Sequence, residues 1–169
     1  KARIYGAMLT QGKGNRVIFS DDKGLTWKEL GTAGQNAPAS QNEPKVEILP
    51  SGQILLSVRR DGGRTFNVFT YGEEADDKTN GSGSWAAAVN GCNNDGNSCN
   101  GEIYRLEVKK SNGDPATLLL QSQPKGSDRE NVTIWYKEIS NSTYTPSTIA
   151  ADWTKGLQVS TQKSAYSAM

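Results

Sequence analysis

NEPKVEILPSGQILLSVRR, residues 42–60, is the stretch on which the fold turns. Pro50, Ser51 and Gly52 make a tight turn: proline pre-sets one φ angle and glycine tolerates a positive one. Ile, Leu and Val dominate both flanks, as strands prefer. The stretch therefore predicts two antiparallel strands. A loop of three residues sets residue 49 against 53, 47 against 55, 45 against 57 and 43 against 59. Glu43 then sits beside Arg59 at the open end, their Cβ atoms roughly 5 Å apart. A slip of one residue would undo the pair. Taken alone, the pair has the bland reading of a surface salt bridge.

Strands and turns spread outward from this hairpin. Upstream, residues 3–9 and 16–20 read as strands around a turn at Lys13-Gly14-Asn15. Then comes Ser20-Asp21-Asp22-Lys23-Gly24-Leu25-Thr26-Trp27, a turn in which carboxylate and hydroxyl cap backbone N–H groups. Trp27 is expected to pack back as its anchor. A polar loop, residues 31–41, leads into the hairpin. Downstream, Asp61-Gly62-Gly63 turns the chain into a strand over 65–71. Gly81-Ser82-Gly83-Ser84-Trp85 reads as a degraded copy of the earlier turn-then-Trp device. The repeat would then be a four-stranded unit, which fits a β-propeller blade. Residues 90–101 form a Gly/Asn-rich insertion, and strands follow over 103–108, 117–121 and 131–139. In the first of these, Tyr104, Leu106 and Val108 share one face, with Arg105 and Glu107 on the other. No segment shows a sustained helical period.

Composition agrees. Of 169 residues only 34% are hydrophobic, yet 18 are glycine and 6 proline, a mix that suits an all-β chain with many turns. A net charge of +1 argues against a nucleic-acid or membrane-surface binder. No apolar run is long enough for a transmembrane helix. Histidine is absent, which excludes Ser-His-Asp triads, Cys-His pairs and histidine metal sites within this sequence. No metal or cofactor is expected. Cys92 and Cys99 enclose a polar loop that reads equally as a disulfide or as two thiols. Asn131-Val132-Thr133 and Asn141-Ser142-Thr143 match glycosylation acceptor patterns too short to decide anything.

Ser20-x-Asp22-x-Gly24-x-Thr26-Trp27 matches the Asp-box. The chain resembles the sialidase (neuraminidase) family, six-bladed β-propellers in which that motif recurs as a structural turn. Glu43, Gly52 and Arg59 resemble the stretch holding the family's catalytic glutamate and second substrate-binding arginine. Arg129-Glu130-Asn131-Val132-Thr133 resembles the segment of the third arginine. Ser164-Ala165-Tyr166-Ser167 resembles the segment around the nucleophilic tyrosine. These motifs follow the family's order through nearly the whole chain.

The resemblance implies an exo-α-sialidase acting with retention through a tyrosyl-enzyme intermediate. Sialic acid carries a carboxylate on its anomeric carbon. Arg59 and Arg129 would hold that carboxylate in their planar forks. A neutral Tyr166 would avoid the repulsion a carboxylate nucleophile meets, and Glu43 would be its base. Glu47 is the rival base. Arg16, Arg60 and Arg64 read as structural or rim cations, and Trp85, Trp135 and Trp153 as packing aromatics. The alternatives are an intramolecular trans-sialidase and, in another class, a non-catalytic Asp-box propeller that binds carbohydrate.

At about 40–50 residues per blade, residues 1–169 make about three to four blades of antiparallel four-stranded sheets. The expectation is therefore part of a sialidase catalytic domain. Its partners would be sialylated glycans and the remainder of the propeller, from the same polypeptide or a companion chain. The family's first arginine and its aspartate acid/base have no counterpart among the matched residues. The implied location is extracellular, with a leader removed or lying outside a chain that opens at Lys1.

Overall fold

The 42–60 hairpin builds the middle layer of the molecule. The structure, a computed structural model, describes residues 2–31, 37–38, 43–93 and 99–169. Asn42, most of the 31–41 loop and the centre of the 90–101 insertion lie outside the described residues. Three antiparallel sheets follow one another along the chain. The first holds β1 (Ile4–Thr10), β2 (Gly14–Ser20) and β3 (Lys28–Glu29) in that order. The second runs β4 (Pro44–Ile48), β5 (Ile54–Arg60), β6 (Gly63–Tyr71) and β7 (Gly83–Trp85), with one helical turn, α1 (Asp77–Asn80), before β7. A further strand, β8 (Val89–Gly91), also pairs with β6. The third holds β9 (Ile103–Lys109), β10 (Pro115–Lys125), β11 (Glu130–Ile139) and β12 (Thr154–Gln158). A short helix, α2 (Pro146–Ala150), joins β11 to β12.

The hairpin has the register that its turn predicts. Lys45 faces Ser57, Glu47 faces Leu55 and Ile48 faces Ile54, and Leu49 N donates to Gln53 O at 2.9 Å across the turn. Gly52 takes φ +85°, the conformation for which glycine was needed. Alternation then divides the second sheet between two cores. Ile54, Leu56, Val58 and Phe69 pack on Val17, Phe19 and Leu30 of the first sheet. Leu55, Phe66 and Val68 pack on Ile103, Leu119, Ile139 and Ile149 of the third-sheet region. β5 is thus enclosed on both faces, and every residue from 54 to 58 is at 0% exposure. Its run of apolar residues, rather than an apolar–polar alternation, is the mark of such a strand.

The all-β expectation holds, and among the described residues no sheet closes on itself. A uniform four-stranded unit is not seen among them. Among the described residues the sheets have three, five and four strands. In the five-stranded one, β7 pairs at the 69–71 end of β6 and β8 at the 64–66 end, so two short strands share one edge. The turn before Trp85 also differs from an Asp-box. It is a helix C-cap, with Gly81 at φ +74° and its N–H returned to Lys78 O. Trp85 packs inward against Phe69, whereas Trp27 lies across Gly24 and Gly6 and stays 44% exposed. Cys92 and Cys99 are free, buried thiols, and burial pushes the Cys92 thiol up, which keeps it protonated.

Candidate active site

Glu43 and Arg59 meet at the open end of the hairpin. Arg59 Nη1 donates to Glu43 Oε2 at 2.8 Å, and both side chains are largely shielded. The other carboxylate oxygen has a different partner: Tyr166 Oη donates to Glu43 Oε1 at 3.0 Å. Glu43 thus joins a cation and a phenol 123 residues away from it in the chain. Its own backbone sits at φ +58°, just before Pro44. Positive φ at a non-glycine costs of order 1–3 kcal/mol and gathers at functional sites.

Four local contacts seat Tyr166. Residue 166 forms a parallel bridge with Asn100, and Ser167 N donates to Asn100 O at 3.3 Å. Ser167 and Ser122 share a hydroxyl hydrogen bond of 2.9 Å. Ser164 N donates to Arg129 O at 2.7 Å. Gly101 lies against the Ser122 carbonyl so closely that a Cβ there would stand 1.7 Å from the oxygen. Only glycine lets the 100–101 backbone reach the position from which it holds Tyr166. Tyr166 nonetheless remains 57% exposed.

The electrostatics follow from these contacts. The hydrogen bond to Glu43, and then its negative charge, raise the Tyr166 phenol above its ordinary value. The resting phenol is therefore protonated, with its acceptor in place. Burial opposes the Arg59 charge, but the Glu43 hydrogen bond and charge outweigh it. Beneath them lies Arg64, at 0% exposure, pulled down to about 10 by burial. Ser57 Oγ accepts from Arg64 Nε at 2.9 Å and donates to Gln121 Oε1 at 2.7 Å, linking the second sheet to the third.

Glu43, Arg59 and Tyr166 come together as one cluster. Arg129 is tied to the chain beside the cluster: its backbone carbonyl accepts from Ser164 N, two residues before Tyr166, and its own φ is +57°. Glu47 is elsewhere. Its carboxylate accepts from Ile48 N at 2.6 Å and from Arg105 N at 2.8 Å, closing the seam between sheets. That makes it a structural acceptor and not a rival base. Sequence reasoning missed the ion pair of Lys45 Nζ with Glu102 Oε2, 3.0 Å, which also crosses between the sheets. The one available signal was that Lys45 shares a hairpin face with Glu43.

The Asp-box turn lies at the far end of the sheets. Ser20 Oγ donates to Asp22 Oδ1 at 2.7 Å, Thr26 N to the same oxygen at 2.9 Å and Thr26 Oγ1 to Asp22 Oδ2 at 2.6 Å. Its neighbour Asp21 is tied through Arg3 to Tyr71, at the end of β6 opposite Arg64. Tyr71 lies seven residue steps along the strand from Arg64, roughly 23 Å. Among the described residues no cluster of His, Cys, Asp or Glu could hold a metal ion. Nor is any helix long and apolar enough to cross a membrane. No family model, curated protein or solved structure matches the chain.

Proposed function

We propose that the chain is part of a sialidase, a glycosidase that removes terminal sialic acid with retention. The observation that carries this reading is Tyr166 donating to a carboxylate whose other oxygen is held by Arg59. A binding surface gains little from a tyrosine coupled to a largely shielded carboxylate, whereas a phenol that must become a nucleophile needs that base. In the proposed reaction Tyr166 Oη attacks the anomeric carbon while its proton passes to Glu43 Oε1. The C–O glycosidic bond breaks as the Tyr–sugar bond forms. Water then cleaves that bond, its hydroxyl going to the sugar and its proton to the acid that protonated the leaving group, while the phenol recovers its proton from Glu43. Arg59 and Arg129 take the sugar carboxylate. Protonation of the leaving group falls to the family's aspartate, outside the matched residues.

The three sheets are proposed as blades of a six-bladed propeller. The outer faces support this. Ile4 and Met8 on the first sheet, and Tyr104, Leu106 and Tyr136 on the third, are exposed apolar side chains on faces turned away from the two cores. Further blades, from the same polypeptide or a companion chain, would cover them. An extracellular setting goes with sialylated glycans as substrates.

The test is chemical trapping. The complete protein is treated with a fluorinated sialosyl fluoride, which slows hydrolysis of the glycosyl-enzyme. A sialyl mass addition on the peptide containing Tyr166, absent in Tyr166→Phe, is the expected result. Turnover of sialosides with the label on a carboxylate instead would overturn the tyrosine mechanism.

A further inference from the structure

Two short pieces of chain carry the phenol and its acceptor, and both are held stiffly. Glu43-Pro44-Lys45 opens the hairpin, and Pro44 fixes one φ angle between its neighbours, so Lys45 moves with Glu43. Asn100-Gly101-Glu102 forms the seat of Tyr166. Asn100 holds the backbone at 166 and 167, and Gly101 is pressed against the Ser122 carbonyl. Glu102 N donates to Ser122 Oγ at 3.0 Å, the same hydroxyl that is bonded to Ser167. Glu102 O accepts from Ser122 N and from Gln121 Nε2, each at 2.9 Å. Glu102 is therefore fixed to β10 and to the residue that follows Tyr166.

The far ends of these two pieces meet. Lys45 Nζ donates to Glu102 Oε2 at 3.0 Å. A ring of contacts closes: Glu43 to Lys45 along the chain, Lys45 to Glu102, Glu102 through Ser122 to Ser167, and Tyr166 back to Glu43. A second tie, from Arg105 N to Glu47 Oε2, joins the same two segments further from the cluster and does not depend on Lys45. The Lys45 and Glu102 side chains are 31% and 21% exposed. A pair so near solvent adds little to stability. What it adds is its place in the ring.

We propose that Lys45 and Glu102 are a positioning pair, which sets the Tyr166 hydroxyl against the Glu43 carboxylate. Neither is asked to touch a ligand. The pair acts through the two pieces of chain it joins. Its effect on turnover rests on the sialidase reading, whereas its effect on the phenol does not.

The readout is the Tyr166 phenol of the complete protein, taken as the ultraviolet titration of each variant minus that of its Tyr166→Phe counterpart. Glu43 and Arg59 from the hairpin, and Cys99 beside the seat, act on this phenol. Contact with Glu43 raises it, so loss of that contact lowers it. Field effects alone carry opposite signs: removing the Lys45 cation would raise the phenol, and removing the Glu102 anion would lower it. Positioning predicts that Lys45→Met and Glu102→Gln both lower it. Lys45→Arg should keep it near wild type. Glu47→Gln, which loosens only the second tie, should leave it in place. With a fluorogenic sialoside, Lys45→Met should lose kcat on the order of tenfold with KM little changed. Opposite shifts in Lys45→Met and Glu102→Gln, no shift in Lys45→Met, an equal shift in Glu47→Gln, or full turnover by Lys45→Met overturns the inference. Should either variant fail to fold, Lys45→Gln decides by the sign of its shift. Wild type that leaves sialosides uncleaved overturns the sialidase reading alone, and the titration still decides the pair.

Discussion

Glu43 holds its two neighbours through different oxygens, so each contact can be cut separately. The phenol of Tyr166 should titrate above an ordinary tyrosine, because its loss of a proton would place two negative charges 3.0 Å apart. Ultraviolet difference titration of Glu43→Gln should show one phenol moving back down. An unchanged titration would mean that the carboxylate does not govern Tyr166. Arg59→Lys replaces a two-armed fork by a point charge and should weaken a carboxylate-bearing sialoside about tenfold, read by calorimetry. Unchanged affinity would remove Arg59 from the binding site. The Glu43–Arg59 pair was legible in the sequence because hairpin register is arithmetic once the turn is known. Tyr166 was reached only through the resemblance, since no local rule spans 123 residues. The depth of Arg64 was not legible at all. A side chain's exposure depends on what the rest of the chain lays over it, and here that is the Cys99 backbone.

At the scale of elements, strands with strong apolar character were read and the weak ones were not. β3 has two residues and β8 three, too few to show a period. β12 (Thr154–Gln158) is mostly exposed and polar, and its pairing with β11 supplies what its own sequence lacks. α2 left a different trace: Thr145 caps it, Pro146 opens it and Thr148 closes the capping box. Five residues cannot display a helical repeat, but such a cap can be read. The Asp-box turn was legible in chemistry as well as in place. Hydrogen bonds from the Thr26 hydroxyl first, then from Thr26 N and Ser20, hold the Asp22 carboxyl at about 2, below its ordinary value. Its contribution to stability is therefore complete above an unfolded pKa of about 3.9 and is lost as pH falls through about 2. The complete protein should lose melting temperature across that window. Asp22→Asn should be less stable near neutrality, flatter across the window, and unaltered in turnover per folded molecule. A loss of turnover at full stability would move the Asp-box into the chemistry.

For the whole molecule, the outer faces matter most. Sequence periodicity put Tyr104, Leu106 and Val108 on one face, which in the structure is the outward face of β9, with Tyr104 at 45% exposure. Periodicity groups residues by face, but it does not say which face is inside. Residues 1–169 produced alone should bind apolar dyes, self-associate with concentration and leave a fluorogenic sialoside uncleaved. Robust turnover by a soluble monomer would overturn the need for further blades.

The seat of Tyr166 also fixes an order of events during synthesis. Glu43 and Arg59 belong to one hairpin and can pair as soon as it forms. Tyr166 is held by Asn100, Ser122 and Ser167, so it joins only after the third sheet has been made. At roughly 5–20 residues per second, the ribosome needs about 6–25 s to travel from Glu43 to Tyr166. For that interval the nascent chain carries an arginine–carboxylate pair with no phenol beside it. On the proposed sialidase reading, the nucleophile is thus missing until the strands that seat it are in place.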